Sequence, residues 1–180
     1  MILLTLLLSL AGTDECGPGL RYSAGDKDLF EYELAVIDGK CVLDGEWFQF
    51  TKIGHILLVS GHFKNDMADG VWSWWSEDGK LKMTGSFTNN LQDDEWVYYS
   101  DGKPFQDGHF CGGKVCGSWF MYLYPQLVIS NWKDDKLNGT FTVYYRKWDL
   151  KQQGQMKDGN RIGHWVEWNE DGTIKRKWNE

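Results

Sequence analysis

One pattern constrains this chain more than any other: a glycine, any residue, a tryptophan, and a second aromatic three positions later. It occurs as Gly45-Glu-Trp47-Phe-Gln-Phe50, Gly70-Val-Trp72-Ser-Trp-Trp75 and Asp94-Glu-Trp96-Val-Tyr-Tyr99. It recurs as Gly117-Ser-Trp119-Phe-Met-Tyr122, Gly139-Thr-Phe141-Thr-Val-Tyr144 and Gly163-His-Trp165-Val-Glu-Trp168. Successive starts lie 25, 24, 23, 22 and 24 residues apart. A period this short is one supersecondary unit, which cannot bury its apolar face alone and must stack on its neighbours.

A second pattern, glycine-x-aromatic, falls between occurrences of the first: Gly61-His-Phe63, Gly85-Ser-Phe87 and Gly108-His-Phe110. It weakens to Ser130-Asn-Trp132 and Gly154-Gln-Met156. Turn residues separate the two: Asp78-Gly79-Lys80, Asp101-Gly102-Lys103, Asp171-Gly172-Thr173, Asn65-Asp66, Asn89-Asn90, Gly112-Gly113-Lys114, Asp134-Asp135-Lys136 and Asp158-Gly159-Asn160. Such dipeptides accept positive φ, so two-residue hairpins are expected throughout. Strands of 5–8 residues then fill the chain, with no sustained 3.6-residue apolar period for a helix. The expected fold is all-β: a single-layer antiparallel β-meander of tandem hairpin repeats of ~23 residues.

Strand alternation assigns faces. Trp47, Trp72, Trp96, Trp119, Phe141 and Trp165 form the structural aromatic row on one face. Phe50, Trp75, Tyr99, Tyr122, Tyr144 and Trp168 lie on the other. The repeated glycine is expected to clear space for the ring of the adjacent unit. Trp74, Tyr98 and Met121 lie two residues beyond the main row, where the end repeats carry Gln49 and Glu167. A patch apolar in its middle and polar at its ends is a candidate binding face.

Composition narrows the partners. The 180 residues include Trp 11, Tyr 8 and Phe 9, and the net charge is −7. An acidic chain lacks the basic face that nucleic acid requires. Met1 to Leu10 is almost unbroken apolar sequence, too short to span a bilayer, and Ser9-Leu10-Ala11 suits a signal peptidase. The expected organisation is a signal peptide at 1–11, a cysteine-bearing lead-in and cap at 12–44, and six tandem repeats at 45–180, the last incomplete. The rival reading of the apolar run is a buried first strand or helix. Lipid attachment at Cys16 is disfavoured by Asp14 and Glu15 before it. Export to the periplasm, the cell surface or the medium follows, with no membrane insertion after signal removal.

Four cysteines fit an exported chain. Cys111 and Cys116 flank a hairpin turn and are expected to face each other across it. Cys16 and Cys41 then pair by elimination. A four-thiolate zinc site is the rival, although only one of the two spacings suits it.

No catalytic set emerges. His55, His62, His109 and His164 are scattered, and the position shared by His62 and His109 also holds Ser86 and Gln155. Acid pairs such as Glu77-Asp78 and Glu170-Asp171 precede turn glycines. The chain is therefore expected to be no enzyme and to hold no metal or cofactor.

At these repeats the sequence resembles the MORN-repeat variant family, found in YwqK-type antitoxin-like bacterial proteins. Gly70-Val-Trp72, Trp75, Asp78-Gly79-Lys80, Gly85-Ser-Phe87 and Asn89-Asn90 carry its signature nearly whole, and the unit from Asp94 to Gly117 repeats it. The resemblance spans roughly residues 39–178, with Asp94 for Gly, Phe141 for Trp and Ser130 for Gly as departures. It implies a β-sheet repeat protein, bacterial and exported, with an antitoxin-type neutralising role in some members. The expected function is a non-enzymatic module for protein–protein interaction, with an envelope carbohydrate or cell-wall binding module as the alternative.

Overall fold

The computed structural model describes residues 20–24 and 28–180. Among them, fourteen strands form one antiparallel sheet whose spatial order is the order of the chain. The strands are β1 (Leu20–Ala24), β2 (Asp28–Ile37), β3 (Lys40–Thr51), β4 (Leu57–Lys64), β5 (Met67–Trp75), β6 (Leu81–Thr88) and β7 (Leu91–Ser100). There follow β8 (Lys103–Cys111), β9 (Lys114–Leu123), β10 (Gln126–Lys133), β11 (Lys136–Tyr144), β12 (Leu150–Lys157), β13 (Asn160–Trp168) and β14 (Ile174–Asn179). The one helical piece among the described residues is a 3-10 turn at Arg146–Trp148. The meander reading therefore holds, and the sheet is open. Residues 28–44, assigned to the lead-in, belong to the same sheet through β2 and β3. The proposed signal peptide, the lipidation question and Cys16 lie outside the described residues.

The two edges of the ribbon turn differently. On one edge every described connection is a two-residue turn with positive φ at both positions: Asp38-Gly39, Asn65-Asp66, Asn89-Asn90, Gly112-Gly113, Asp134-Asp135 and Asp158-Gly159. This is the backbone that matches strand twist in tight hairpins. On the other edge only Asp101-Gly102 follows that rule. The expectation of two-residue hairpins at Asp78-Gly79-Lys80 and Asp171-Gly172-Thr173 is corrected: both are five-residue loops, 76–80 and 169–173. Each aspartate carboxylate is used inside its loop. Asp78 accepts from the Ser76 hydroxyl and Asp171 from the Thr173 N–H, which stabilises the wider turn.

The tight turns also join successive units. The Asp66 N–H donates to Leu43 O at 2.9 Å while the Leu43 N–H donates to the Asp66 carboxylate at 2.6 Å. Asn90 and Ala68 repeat the exchange at 2.9 and 2.6 Å, and Asp135 and Val115 at 3.1 and 2.8 Å. Asn and Asp at these tips thus supply both the left-handed backbone and an acceptor for the preceding unit.

The glycines have two separate jobs, which corrects the single role expected from sequence. At the first-pattern glycine the register slips by two residues, as between Ser60/His62 and their partners Ser73/Asp69. Gly70, Asp94, Gly117 and Gly163 have φ of 75°, 62°, 65° and 62° there. A Cβ on Gly70 or Gly163 would meet nothing within 4 Å, so conformation and not space selects glycine at this bulge. Asp94 substitutes because aspartate tolerates the left-handed region. Clearance belongs to the second pattern. A Cβ on Gly61, Gly85, Gly108 or Gly154 would lie 2.1–2.2 Å from the ring of Trp72, Trp96, Trp119 or Trp165, on the next strand.

Two positions break this rule in an ordered way. Ser130 takes the glycine place, and its partner on β11 is Phe141 in place of tryptophan. Trp178 takes the same place on β14, opposite Trp165, and stacks on that ring at 6.0 Å and 26°. Trp178 fills the space a further unit's tryptophan would occupy, so β14 covers the end of the ladder.

Candidate functional site

The structural row forms the spine of the molecule. Trp47, Trp72, Trp96, Trp119 and Trp165 are all buried, while Phe141 is half-buried. Phe63, Phe87 and Phe110 stand edge-on between successive tryptophans. Phe63 meets Trp72 at 5.1 Å and 87°, Phe87 meets Trp96 at 5.3 Å and 85°, and Phe110 meets Trp119 at 5.4 Å and 83°. Edge-to-face geometry places the positive ring edge on the negative ring face, which adds to the area buried. The indole N–H groups of the central three tryptophans are also anchored. Trp72 donates to His62 O at 3.2 Å, Trp96 to Ser86 O at 3.1 Å and Trp119 to His109 O at 3.1 Å. Trp47 and Trp165, towards the ends, bury this nitrogen without a hydrogen-bond partner among the described residues.

Trp74, Tyr98 and Met121 lie on the same face in one unbroken cross-strand row. Its members are paired in sequence: Gln49, Val59, Trp74, Met83, Tyr98 and Gln106. The row goes on through Met121, Val128, Val143, Gln152, Glu167 and Arg176. Its polar ends are tied down: Gln49 donates to Asp28 at 2.9 Å, and Glu167 accepts from Lys175 and Arg176 at 2.9 and 2.6 Å. Those hydrogen bonds, first from Lys175 and then from Arg176, hold the Glu167 carboxyl below its ordinary range. The row is covered more than its polar counterparts suggest. Trp74 packs between Trp72 at 6.1 Å and Trp96 at 5.6 Å, and burial pushes the Tyr98 phenol up.

The opposite face carries the second set of rings, each paired with an aliphatic residue or proline. Phe50 faces Leu57, Trp75 faces Leu81, Tyr99 faces Pro104, and Trp168 faces Ile174. Tyr122 and Tyr144 share Leu127 between them. Beside this ladder is a cluster that the repeat pattern did not point to. Tyr124 is 75% exposed, Trp148 65% and Tyr122 48%. Tyr122 meets Tyr124 at 6.2 Å, Tyr144 meets Trp148 at 5.4 Å, and the Arg146 guanidinium lies 5.6 Å from the Tyr124 ring centre. Tyr124 and Trp148 sit in the connections 124–125 and 145–149, outside both repeat motifs. The available signal was the second connection itself, longer than a two-residue turn and rich in aromatic and basic residues.

The remaining candidates are dispersed. His55 stacks on Phe50 at 4.4 Å with Glu31 at 3.6 Å, while His109 and His164 are exposed on separate strands. No group of three His, Cys, Asp or Glu among the described residues is placed to hold a metal ion. Asp107 is half-buried between Val97 and Phe120. Burial first, then the Glu95 charge, pushes its carboxyl up against a smaller opposing effect of His109.

Cys111 and Cys116 form a disulfide with Cα atoms 5.9 Å apart. The two do not face each other, as sequence suggested. Cys116 is opposite His109 and Cys111 is opposite Lys114, so the bond runs diagonally across the Gly112-Gly113 turn. Diagonal neighbours are ordinarily about 7–8 Å apart, but at 5.9 Å this pair is within disulfide reach. Cys41 is also disulfide-bonded.

No helix among the described residues is long and apolar enough to cross a membrane. The family model described as MORN repeat variant matches residues 68–89, the unit from β5 to the turn after β6. No curated protein matches the chain.

Proposed function

We propose that this chain, with a MORN repeat variant at residues 68–89, is an exported, non-enzymatic repeat module that binds another protein. The observation that carries this reading is the row from Val59 to Val143. It runs across eight strands, is apolar except for Gln106, and gives way to Gln49 at one end and to Gln152 and Glu167 at the other. A one-layer sheet has no second layer to cover such a row, so its half-buried rings are available to a partner. Export is supported by the Cys111–Cys116 disulfide, since such bonds persist in oxidising compartments.

Affinity capture from an envelope extract of the native host tests the reading, using the native chain beside Trp74→Ala and Gln49→Ala. A protein retained by the native chain and by Gln49→Ala but lost from Trp74→Ala is expected. Retention of glycan in place of protein would transfer the row to carbohydrate binding. Turnover in a broad hydrolase screen would refute the non-enzymatic assignment.

A further inference from the structure

We propose that the corner formed by Tyr122, Tyr124, Tyr144, Arg146 and Trp148 binds an acidic, proline-rich segment of another protein in the polyproline II conformation. It lies on the face opposite the Trp74 row and does not depend on that row's role.

Exposure comes first. Most large rings of this protein are packed in ladders, whereas Tyr124 and Trp148 are 75% and 65% exposed. Trp148, the last residue of the 3-10 turn, has a φ of 68°. A bulky residue rarely adopts that conformation, which strains the backbone. The ring so placed adds little to the core.

Spacing selects the ligand. Tyr122 and Tyr144 pair with the two sides of Leu127, so they stand two strands apart. Two strand spacings are about 9.4–9.8 Å. One turn of polyproline II, three residues at about 3.1 Å each, advances about 9.3 Å. A segment laid across the strands therefore brings the same face of successive turns onto Tyr122 and Tyr144, with Tyr124 and Trp148 beside it. Polyproline II makes no internal hydrogen bonds, so its carbonyls are open to phenol donors, and aromatic-lined surfaces suit its preformed shape.

Charge adds the acidic requirement. The chain carries −7 overall, yet Tyr144-Tyr-Arg-Lys-Trp-Asp-Leu-Lys151 holds three basic residues against one acid. Arg146 is stacked on Tyr124 and forms no ion pair among the described residues. A guanidinium held on a ring face keeps its N–H edge for a carboxylate. The chain has only Pro 3, so the segment comes from elsewhere.

Calorimetric titration tests this with four probes: a twelve-residue Pro-Pro-Glu repeat, its Gly-Gly-Glu and Pro-Pro-Gln counterparts, and oligogalacturonate. The Pro-Pro-Glu peptide is expected to bind saturably below about 1 mM, at least about tenfold more tightly than the glycine peptide. Trp148→Ala and Tyr124→Ala should each weaken it at least about tenfold, as loss of an anchor ring does. Arg146→Gln should reduce it to the affinity of the Pro-Pro-Gln peptide. Trp74→Ala should leave it unchanged. Circular dichroism and melting temperature verify that each variant is folded. Equal binding of the glycine peptide, undiminished binding by folded Trp148→Ala, or no peptide binding at all overturns the proposal. Binding of oligogalacturonate alone also overturns it and makes the corner a sugar site.

Discussion

Replacing Gly85 by Ser puts a Cβ 2.2 Å from the fused bond of the Trp96 indole, where ordinary contact begins at 3.4 Å. The ring would have to retreat by about 1.2 Å, the difference between those distances. It has nowhere to go. Trp96 is 2% exposed and lies among Trp74 at 5.6 Å, Phe87 at 5.3 Å and Phe110 at 5.7 Å. Overpacking a closed core costs about 1–3 kcal/mol and sometimes more, so Gly85→Ser should cost about 3 kcal/mol. Trp96→Phe loses the fused ring and the hydrogen bond to Ser86 O, which should cost roughly 2 kcal/mol. The chain itself contains the combined state, Ser130 against Phe141. The double variant should therefore cost about 3 kcal/mol, not the sum of about 5, a coupling near 2 kcal/mol. Urea unfolding of the four proteins reads it, provided m is constant across the set. Additivity within about 0.5 kcal/mol would mean that the serine and phenylalanine of the fifth unit are not a matched pair.

Other outcomes follow from the same geometry. Asn90→Gly keeps the φ of 67° but loses the acceptor for the Ala68 N–H, so it should cost about 1 kcal/mol; Asn90→Ala adds left-handed strain and should cost about 2–3 kcal/mol by chemical denaturation. Trp96→Ala should cost about 3–5 kcal/mol, and Trp74→Ala about 2 kcal/mol, because Trp74 packs between two tryptophans; a larger loss at Trp74 in urea titrations would refute that order. Asp107 binds its proton more tightly in the folded state, so its ionisation opposes folding and stability falls as pH rises from the ordinary 3.8 through the raised value. Asp107→Asn should raise the melting temperature near neutral pH, and the gain should fade as pH drops to that lower limit.

The meander, its repeat length and the buried tryptophan row were legible because all three depend on period and alternation, which a sequence displays directly. The roles of the glycines were not. Gly70 and Gly85 look alike in sequence, yet one bends a bulge and the other makes room for a ring, and only the register distinguishes them. The same limit applies to turn length: Asp78-Gly79 and Asp101-Gly102 share a dipeptide, but the Ser76 hydroxyl captures Asp78 and widens the first loop. The Cys111–Cys116 pairing was legible, while its diagonal geometry required the strand register. Trp74, Tyr98 and Met121 were correctly placed on the face of the main row, but sequence could not show how far Trp72 and Trp96 cover Trp74. The exposed rings Tyr124 and Trp148 were missed because they belong to connections, which periodicity does not describe.

Between residues 130 and 148 the departures from the repeat are of two kinds. Ser130, Phe141 and Trp132 compensate one another: a Cβ enters the glycine site, the facing ring shrinks, and the Trp132 indole N–H donates to the new Ser130 hydroxyl at 2.9 Å. These substitutions restore packing and need no function to explain them. Trp148 is different. Its left-handed backbone costs energy, and 65% of its surface remains open, so little packing offsets the strain. Folding alone would favour glycine at that φ and a polar side chain at that exposure. A ring held outward by a backbone that folding alone would give to glycine marks a place where the fold is shaped for something beyond its own stability. That reasoning separates the 145–149 connection from the loops at 76–80 and 169–173, whose Asp78 and Asp171 carboxylates are used inside the loop, while this one presents Trp148 and a guanidinium to solvent.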